Sequence, residues 1–306
     1  MSLRVVFLGT SGAIPTVERG LPAMLIQREH ELLMFDCGEG VQRQMVKAKV
    51  GFHKRMKVFL SHLHGDHVLG LPGLLQTMAL TDRKAKLEVY GPEGTRGFLE
   101  CVRESLQFGL TFPVEICEVL ESSVVCNEAE YAVEAEWSNH VTPSFAYAFV
   151  EKTRPGKFYP EKARALGVPE GELWSKLQHG EAVALADGRV VKPEDVLGAA
   201  RRGRKVVYSG DTRPFKSFAR FAAGADLVVH DSTFDDSLSE KAELDGHSTP
   251  SQAAQQAKAA KAKKLVLTHL SARYTDVGLL LEQARKVFAD TDVASDFMVL
   301  ELPLNE

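Results

Sequence analysis

Residues 56–70 read MKVFLSHLHGDHVLG. The apolar run up to Leu60 predicts a strand, and the segment after it packs His62, His64, Asp66 and His67 around Gly65, where the chain can turn. His62 and His64 are two residues apart, so in extended chain both rings leave the same side. Asp66 and His67 form a second pair after the turn. Imidazole and carboxylate without thiolate suit borderline divalent ions, zinc first, and two pairs suit two ions better than one. A histidine-rich surface loop or one structural ion is the competing explanation, and four donors at this spacing argue against both.

The loop alone cannot complete two coordination spheres, so further donors must come from other strand ends, where open α/β sheets gather their ligands. His140 follows a run ending at Trp137, Asp211 follows VVYSG, and His269 follows KKLVLT. Singly, such a residue is more often a cap or turn residue. Together with the loop these three make seven donors, enough for two ions if one carboxylate is shared. Two more histidines lie near: His230 opens HDSTF, and His247 sits in GHSTP before a helix start. His247 either belongs to the capping region or acts as a general acid aimed into the site. His30, His53 and His179 read as solvated, and Asp36, in FDCGEG, reads as a residue bonding backbone in a turn.

Apolar β-rich runs recur at 3–9, 31–38, 56–62, 86–91, 124–137, 145–151, 204–211, 225–232, 263–269 and 296–302. Amphipathic helical patterns lie at 38–50, 92–106, 213–224, 249–264 and 276–289. Thr249-Pro250 is a start signal, a hydroxyl N-cap followed by Pro at the first helical position. The alternation predicts layered α/β, with antiparallel strands over 124–151. Residues 152–200 are turn-rich and weakly apolar, with one or two short helices expected around Leu166, Leu173, Trp174 and Leu177. They read as an insertion projecting from the core, with a plain surface excursion as the alternative.

The chain has 306 residues, a formal net charge of −4 and a pI near 6.2. Overall charge therefore gives no sign of nucleic-acid binding, and any such claim rests on local patches. Cys37, Cys101, Cys117 and Cys126 include no C-x-x-C pair, which argues against a disulfide framework or a thiolate zinc site. The N-terminus lacks the pattern of a signal peptide, and no stretch has the ~18 apolar residues of a membrane span, so the cytoplasm is expected. GTSGAIPT lacks the G-K-[ST] of a P-loop, so no nucleotide cofactor is expected.

HLHGDH followed by lone His, Asp and His at strand ends resembles the metallo-β-lactamase fold. FLGTSGAIPT, FDCGEGVQRQ, YSGDTRP, HDSTF, GHSTP and THLSARY, in that order, resemble more specifically the tRNase Z family of tRNA 3′-processing endoribonucleases. Residues around LGVPEGELWSKLQHGEAV resemble that family's flexible exosite arm, its usual Gly-Pro pair reading Gly171-Glu172 here. The resemblance implies one domain over 1–306, a four-layer αβ/βα sandwich with 152–200 as the inserted arm. It implies two zinc ions per subunit, with manganese as a substitute: one on His62, His64 and His140, one on Asp66, His67 and His269, and Asp211 bridging. It also implies that Asp66 orients the attacking water, that His247 protonates the leaving 3′-oxygen, and that His230 and Asp231 support a ligand or His247 from behind. A homodimer is implied, the arm of one subunit gripping precursor tRNA presented to the other. The family's loop that senses a 3′-CCA end reads P-x-K-x-R-N; PTVERG here keeps Pro15 and Arg19 but has Val17 and Gly20.

RNA contacts are expected from the basic runs KAKVGFHKRMK and RRGRK, from arm residues including Lys152, Arg154 and Lys157, and from Arg273 in SARY. The main rival is another dinuclear-zinc hydrolase of the same fold, acting on a lactone, thioester or sulfate ester. A catalytically silent RNA-binding subunit is the other, and it would be expected to have lost donors that all stand here.

Overall fold

A computed structural model describes residues 3–305. Contacts divide the chain into two compact units: the larger runs to Val150 and resumes over Lys205–Pro303, and the smaller takes Glu151–Arg204 with the last residues from Leu304.

The larger unit is built on two seven-stranded mixed sheets. The first has the order Val299–Leu302, Leu3–Gly9, Ala23–Arg28, Glu31–Phe35, Arg55–Phe59, Leu87–Pro92, Val114–Val119; its last four strands are parallel. The second has the order Thr291–Val293, Leu265–Thr268, Leu227–Asp231, Lys205–Tyr208, Phe145–Glu151, Tyr131–Trp137, Ser123–Asn127, its first four strands parallel. Side chains alternate across each strand. Phe7, Ile26, Phe35 and Phe59 of one sheet therefore share a core with Tyr147, Phe149, Tyr208 and Val229 of the other. Their neighbours Val6, Leu25 and Met34 face the helices Val41–Lys47 and Gly70–Leu80. On the far side Ala148, Val207 and Val228 face Phe218 and the helices Pro250–Ala259 and Gly278–Arg285. The order is helix, sheet, sheet, helix: the four-layer sandwich expected.

Three strands of the two sheets escape the periodicity reading, Thr291–Val293 because it is only three residues long. Ala23–Arg28 forms a hairpin with Glu31–Phe35 across Glu29-His30, where Glu29 takes a left-handed φ of 52° without the usual Gly or Asn signal. Val114–Val119 is an edge strand interrupted by Glu115 and Glu118, and most of it is only half covered. The helix expected over 213–224 shrinks to Phe218–Phe221.

The smaller unit has a core of its own, formed by Ala163, Val168, Leu177, Val183, Val191 and Val196. Three short helices, Pro160–Ala165, Glu172–Gln178 and Pro193–Val196, and a two-stranded ladder surround it. Trp174 donates its indole N–H to the Val168 carbonyl at 3.0 Å and carries the Arg164 guanidinium 5.2 Å from its ring. Arg204, fully buried, is bound by Glu151 through two 2.7 Å contacts. Arg204 therefore cannot meet phosphates as the basic run RRGRK suggests.

Candidate metal centre

Five segments of the larger unit end together. Asp36 follows Phe35, the 61–67 loop follows Phe59, Asp211 follows Tyr208, Asp231 closes Leu227–Asp231, and His269 follows Thr268. These are carboxyl ends of parallel strands, the edge where such sheets bind ligands. The loop bearing His140 is pinned to the one bearing Asp211: Arg213 donates its backbone N–H to the Asn139 carbonyl at 2.8 Å, and Asn139 donates to the Thr212 hydroxyl at 3.0 Å. Ser248 ties the 246–249 turn to the same loop by donating to the Thr212 carbonyl at 2.6 Å.

The seven donors converge. His62, His64 and His140 present ring nitrogens within 4.8 Å of one another; His62, His67 and Asp211 bring two ring nitrogens and a carboxylate oxygen equally close, as do His67, His269 and Asp66. Counting protons shows which atoms face inward. Ser61 donates its hydroxyl to Asp36 at 2.8 Å, so it accepts from His62 Nδ1 at 2.9 Å. His67 Nδ1 donates to Asp36 at 2.7 Å, and His140 Nδ1 donates to the Gly246 carbonyl at 2.8 Å. Thr233 gives its proton to Asp231 at 2.6 Å and so accepts from His269 Nδ1 at 2.8 Å. Four imidazoles thus turn Nε2 inward, each fixed at Nδ1 by an oxygen behind it, as metal-binding histidines are.

Those inward atoms would repel one another without a cation. His67 Nε2 lies 3.3 Å from His269 Nε2 and 3.3 Å from Asp211 Oδ2; His269 Nε2 lies 3.2 Å from that oxygen, and both rings lie 3.4 Å from Asp66 Oδ2. Tetrahedral ligands at zinc bond lengths of ~2.0–2.1 Å stand roughly 3.3 Å apart. His62 Nε2 and Asp211 Oδ1 are buried with no hydrogen-bond partner. Acceptors at tetrahedral spacing, with orphaned lone pairs among them, fit a metal ion. Burial lowers the basicity of His62, His64 and His140, keeping them neutral. Burial also disfavours charge on His67, yet Asp211 and Asp36 raise it well above the usual imidazole range. The carboxylates demand positive charge here.

Three of the nine left-handed non-glycine residues among those described lie at the same place. Ala13, Asp36 and His269 take left-handed φ values of 57°, 57° and 58°, conformations that cost ~1–3 kcal/mol each and tend to collect at functional sites. The Ala13 N–H donates to Asp66 Oδ2 at 2.8 Å. Gly246 (φ 88°) carries the carbonyl that holds His140, and a Cβ there would stand 2.6 Å from His140 Nδ1.

His247 lies beside the donors, its Nδ1 bonded to Asp231 Oδ2 at 2.9 Å. Burial works against its charge, but Asp231 and then Asp211 lift its pKa to about 9. Asp231 is itself held by the Thr212 and Thr233 backbone N–H groups at 3.1 and 3.0 Å. His230, expected beside it as a support, is not there: strand alternation sends its ring to the helix side, edge-on to Phe218 at 5.0 Å, with Nδ1 on the Asp231 carbonyl. Asp36 is more than the turn residue its sequence context suggests. It is buried and accepts from His67, from the Ser61 hydroxyl and N–H, and from the Tyr208 hydroxyl. Arg273 lies with its guanidinium 4.9 Å from the Phe234 ring, whose edge faces His247 at 6.0 Å. Arg19 ties its loop to the same region by donating to the Ser271 and Tyr274 carbonyls at 3.3 and 2.7 Å. Within the smaller unit Lys152 and Lys157 are exposed, and Arg154 is half-buried and donates to the Asn305 carbonyl at 3.2 Å.

Two mixed sheets between helices, with a histidine–aspartate cluster at one edge, define a metal-dependent hydrolase of the metallo-β-lactamase class. The chain matches the family described as the beta-lactamase superfamily domain over residues 32–270. It is 49% identical over 302 residues to ribonuclease Z of Methanosarcina acetivorans, covering 98% of each chain. It is 47% identical to that of Myxococcus xanthus, covering 99% of each. The crystal structure of the short form of human tRNase Z superimposes with a TM-score of 0.73 at 30% identity, over 98% of this chain and all of that one. The chain belongs to the ribonuclease Z family of endoribonucleases.

Proposed function

We propose that this enzyme removes the 3′ trailer from precursor tRNA by phosphodiester hydrolysis, leaving a 3′-hydroxyl on the tRNA, with two zinc ions held by His62, His64, His140, Asp66, His67, His269 and a shared Asp211. The observation that carries the reading is the set of inward lone pairs at tetrahedral spacing, two of them on orphaned buried atoms. Full-length similarity to ribonuclease Z proteins supports the substrate class. Bound there, divalent ions supply positive charge against the phosphate and lower the pKa of a water toward neutrality.

The chain's own groups do the rest. Asp66 is fixed through Oδ2 by the Ala13 N–H and is partly exposed, so its other oxygen orients the attacking water. His247 is held through Nδ1 by the Asp231 carboxylate, which favours its charged form, so Nε2–H is the proton source for the departing 3′-oxygen. Asp231 keeps that ring oriented. Arg273, Lys152 and Lys157 bind substrate phosphates, and residues 152–200 serve as the arm that grips the tRNA. Assembly as a homodimer and a cytoplasmic location belong to the same reading through the family resemblance; no helix among the described residues is long and apolar enough to cross a membrane. Incubating the zinc-loaded protein with a 3′-extended precursor tRNA and mapping both product ends tests the proposal. A tRNA ending in 3′-hydroxyl and a trailer with a 5′-phosphate are expected. An intact precursor beside a fully metal-loaded protein would refute it and favour a small-molecule hydrolase of the same fold.

A further inference from the structure

Beside the metal centre runs a trough that the proposed reaction does not use. One cavity of about 130 Å³ is lined by Leu63, His64, Thr142 and Pro143, with Pro92 and Glu93. A second, of about 510 Å³, shares Glu93 and Pro143 and continues to Trp137. The trough therefore starts on a ring of the donor cluster and leads away from it. Its chemistry is that of a flat aromatic ligand with polar edges. Trp137 is 41% exposed, with one face stacked on Phe145 at 4.1 Å. Thr142 Oγ1 is buried with no hydrogen-bond partner, a polar atom left for something that enters. Glu93 is exposed at the shared rim and offers only acceptors, which favours a base carrying an exocyclic amino group.

We propose that this trough holds the base of a nucleotide flanking the scissile phosphate, stacked on Trp137 and read at its edge by Glu93 and Thr142. The occupant is argued from continuity: His64 lines the trough and also belongs to the cluster that faces the phosphate, so RNA engaged at one must pass the other. The inference rests on the proposed RNA cleavage and names a base subsite within it. Stacking of a base on an aromatic side chain tolerates many sequences, and its loss on alanine substitution costs about tenfold or more in binding.

The test is a substrate–enzyme cycle on the full-length, metal-loaded protein. Precursor RNAs carrying one abasic residue on either side of the scissile phosphate are compared with the intact precursor, using wild type, Trp137→Ala and Trp137→Phe. One abasic position should raise KM about tenfold or more in wild type with little change in kcat. Trp137→Ala should raise KM on intact RNA by a similar factor, lose nothing further on that abasic RNA, and keep its metal. Trp137→Phe, which retains a ring, should recover most of the loss. Normal cleavage of both abasic substrates by wild type would overturn the subsite and leave the tRNA reading standing, as would losses that simply multiply. No cleavage of intact precursor by wild type would remove both. A shift in oligomeric state on Trp137→Ala, with KM unchanged, would overturn the subsite by making the trough a contact between copies of this chain.

Discussion

Asp36→Asn is the most informative single perturbation. Four hydrogen bonds converge on this carboxylate: His67 Nδ1 at 2.7 Å, the Tyr208 hydroxyl at 2.7 Å, and the Ser61 N–H and hydroxyl at 2.7 and 2.8 Å. Asparagine keeps one acceptor oxygen and turns the other into a donor, so at least one buried donor faces another donor. A buried donor left unsatisfied costs about 1–3 kcal/mol. In domains of roughly 150–250 residues each kcal/mol moves Tm by about 2–4 °C. The His67 ring also loses the charge that fixes its tautomer. Such outer partners are worth about 10–100-fold in metal affinity, which is about 1.4–2.7 kcal/mol. The assay is zinc competition against a chelator, with thermal unfolding of the metal-free protein run in parallel. Weaker zinc binding together with a lower Tm is the expected result. Wild-type zinc affinity would refute the claim that Asp36 sets the His67 ligand, and an unchanged Tm would refute its place in the buried network.

Three further outcomes are expected from the geometry. His247→Ala should keep its zinc and lose about 10²–10⁴-fold in turnover, since it removes a proton donor and no inward lone pair; metal analysis beside single-turnover cleavage checks this, and loss of zinc would make His247 a ligand. Gly246→Ala should cost metal at His140, because its Cβ would press on His140 Nδ1 and its φ is left-handed; zinc content per chain is the readout. Deleting 152–200 should weaken binding of precursor tRNA while small phosphodiester hydrolysis persists; unchanged tRNA affinity in a folded, metal-bound protein would remove the arm from the account.

The centre is legible in the sequence where donor type and spacing coincide. HLHGDH names its own chemistry, and His140, Asp211 and His269 stand out as polar residues just past apolar runs. Asp36 stands at such a strand end too, but FDCGEG looks like a turn, and its burial depends on Ser61 and Tyr208 arriving from distant strands. His230 fails for the opposite reason: it neighbours the carboxylate that holds His247, and the period of two puts neighbours on opposite faces. Ala23–Arg28 is hidden by a tight turn without glycine, and Val114–Val119 by the acidic residues an edge strand tolerates. Residues 152–200 look too polar for a core because theirs is assembled from small and β-branched residues scattered between turns, among them Ala163, Val168 and Val196.

The central claim is that seven side chains hold two metal ions that the cleavage of precursor tRNA requires. It is tested most directly by measuring metal content and trailer removal on the same sample as a chelator strips the protein and zinc is returned. Two equivalents per chain at full activity, loss of cleavage as they leave and recovery as they return are expected. Full cleavage by metal-free protein, or full activity at one equivalent, would contradict it.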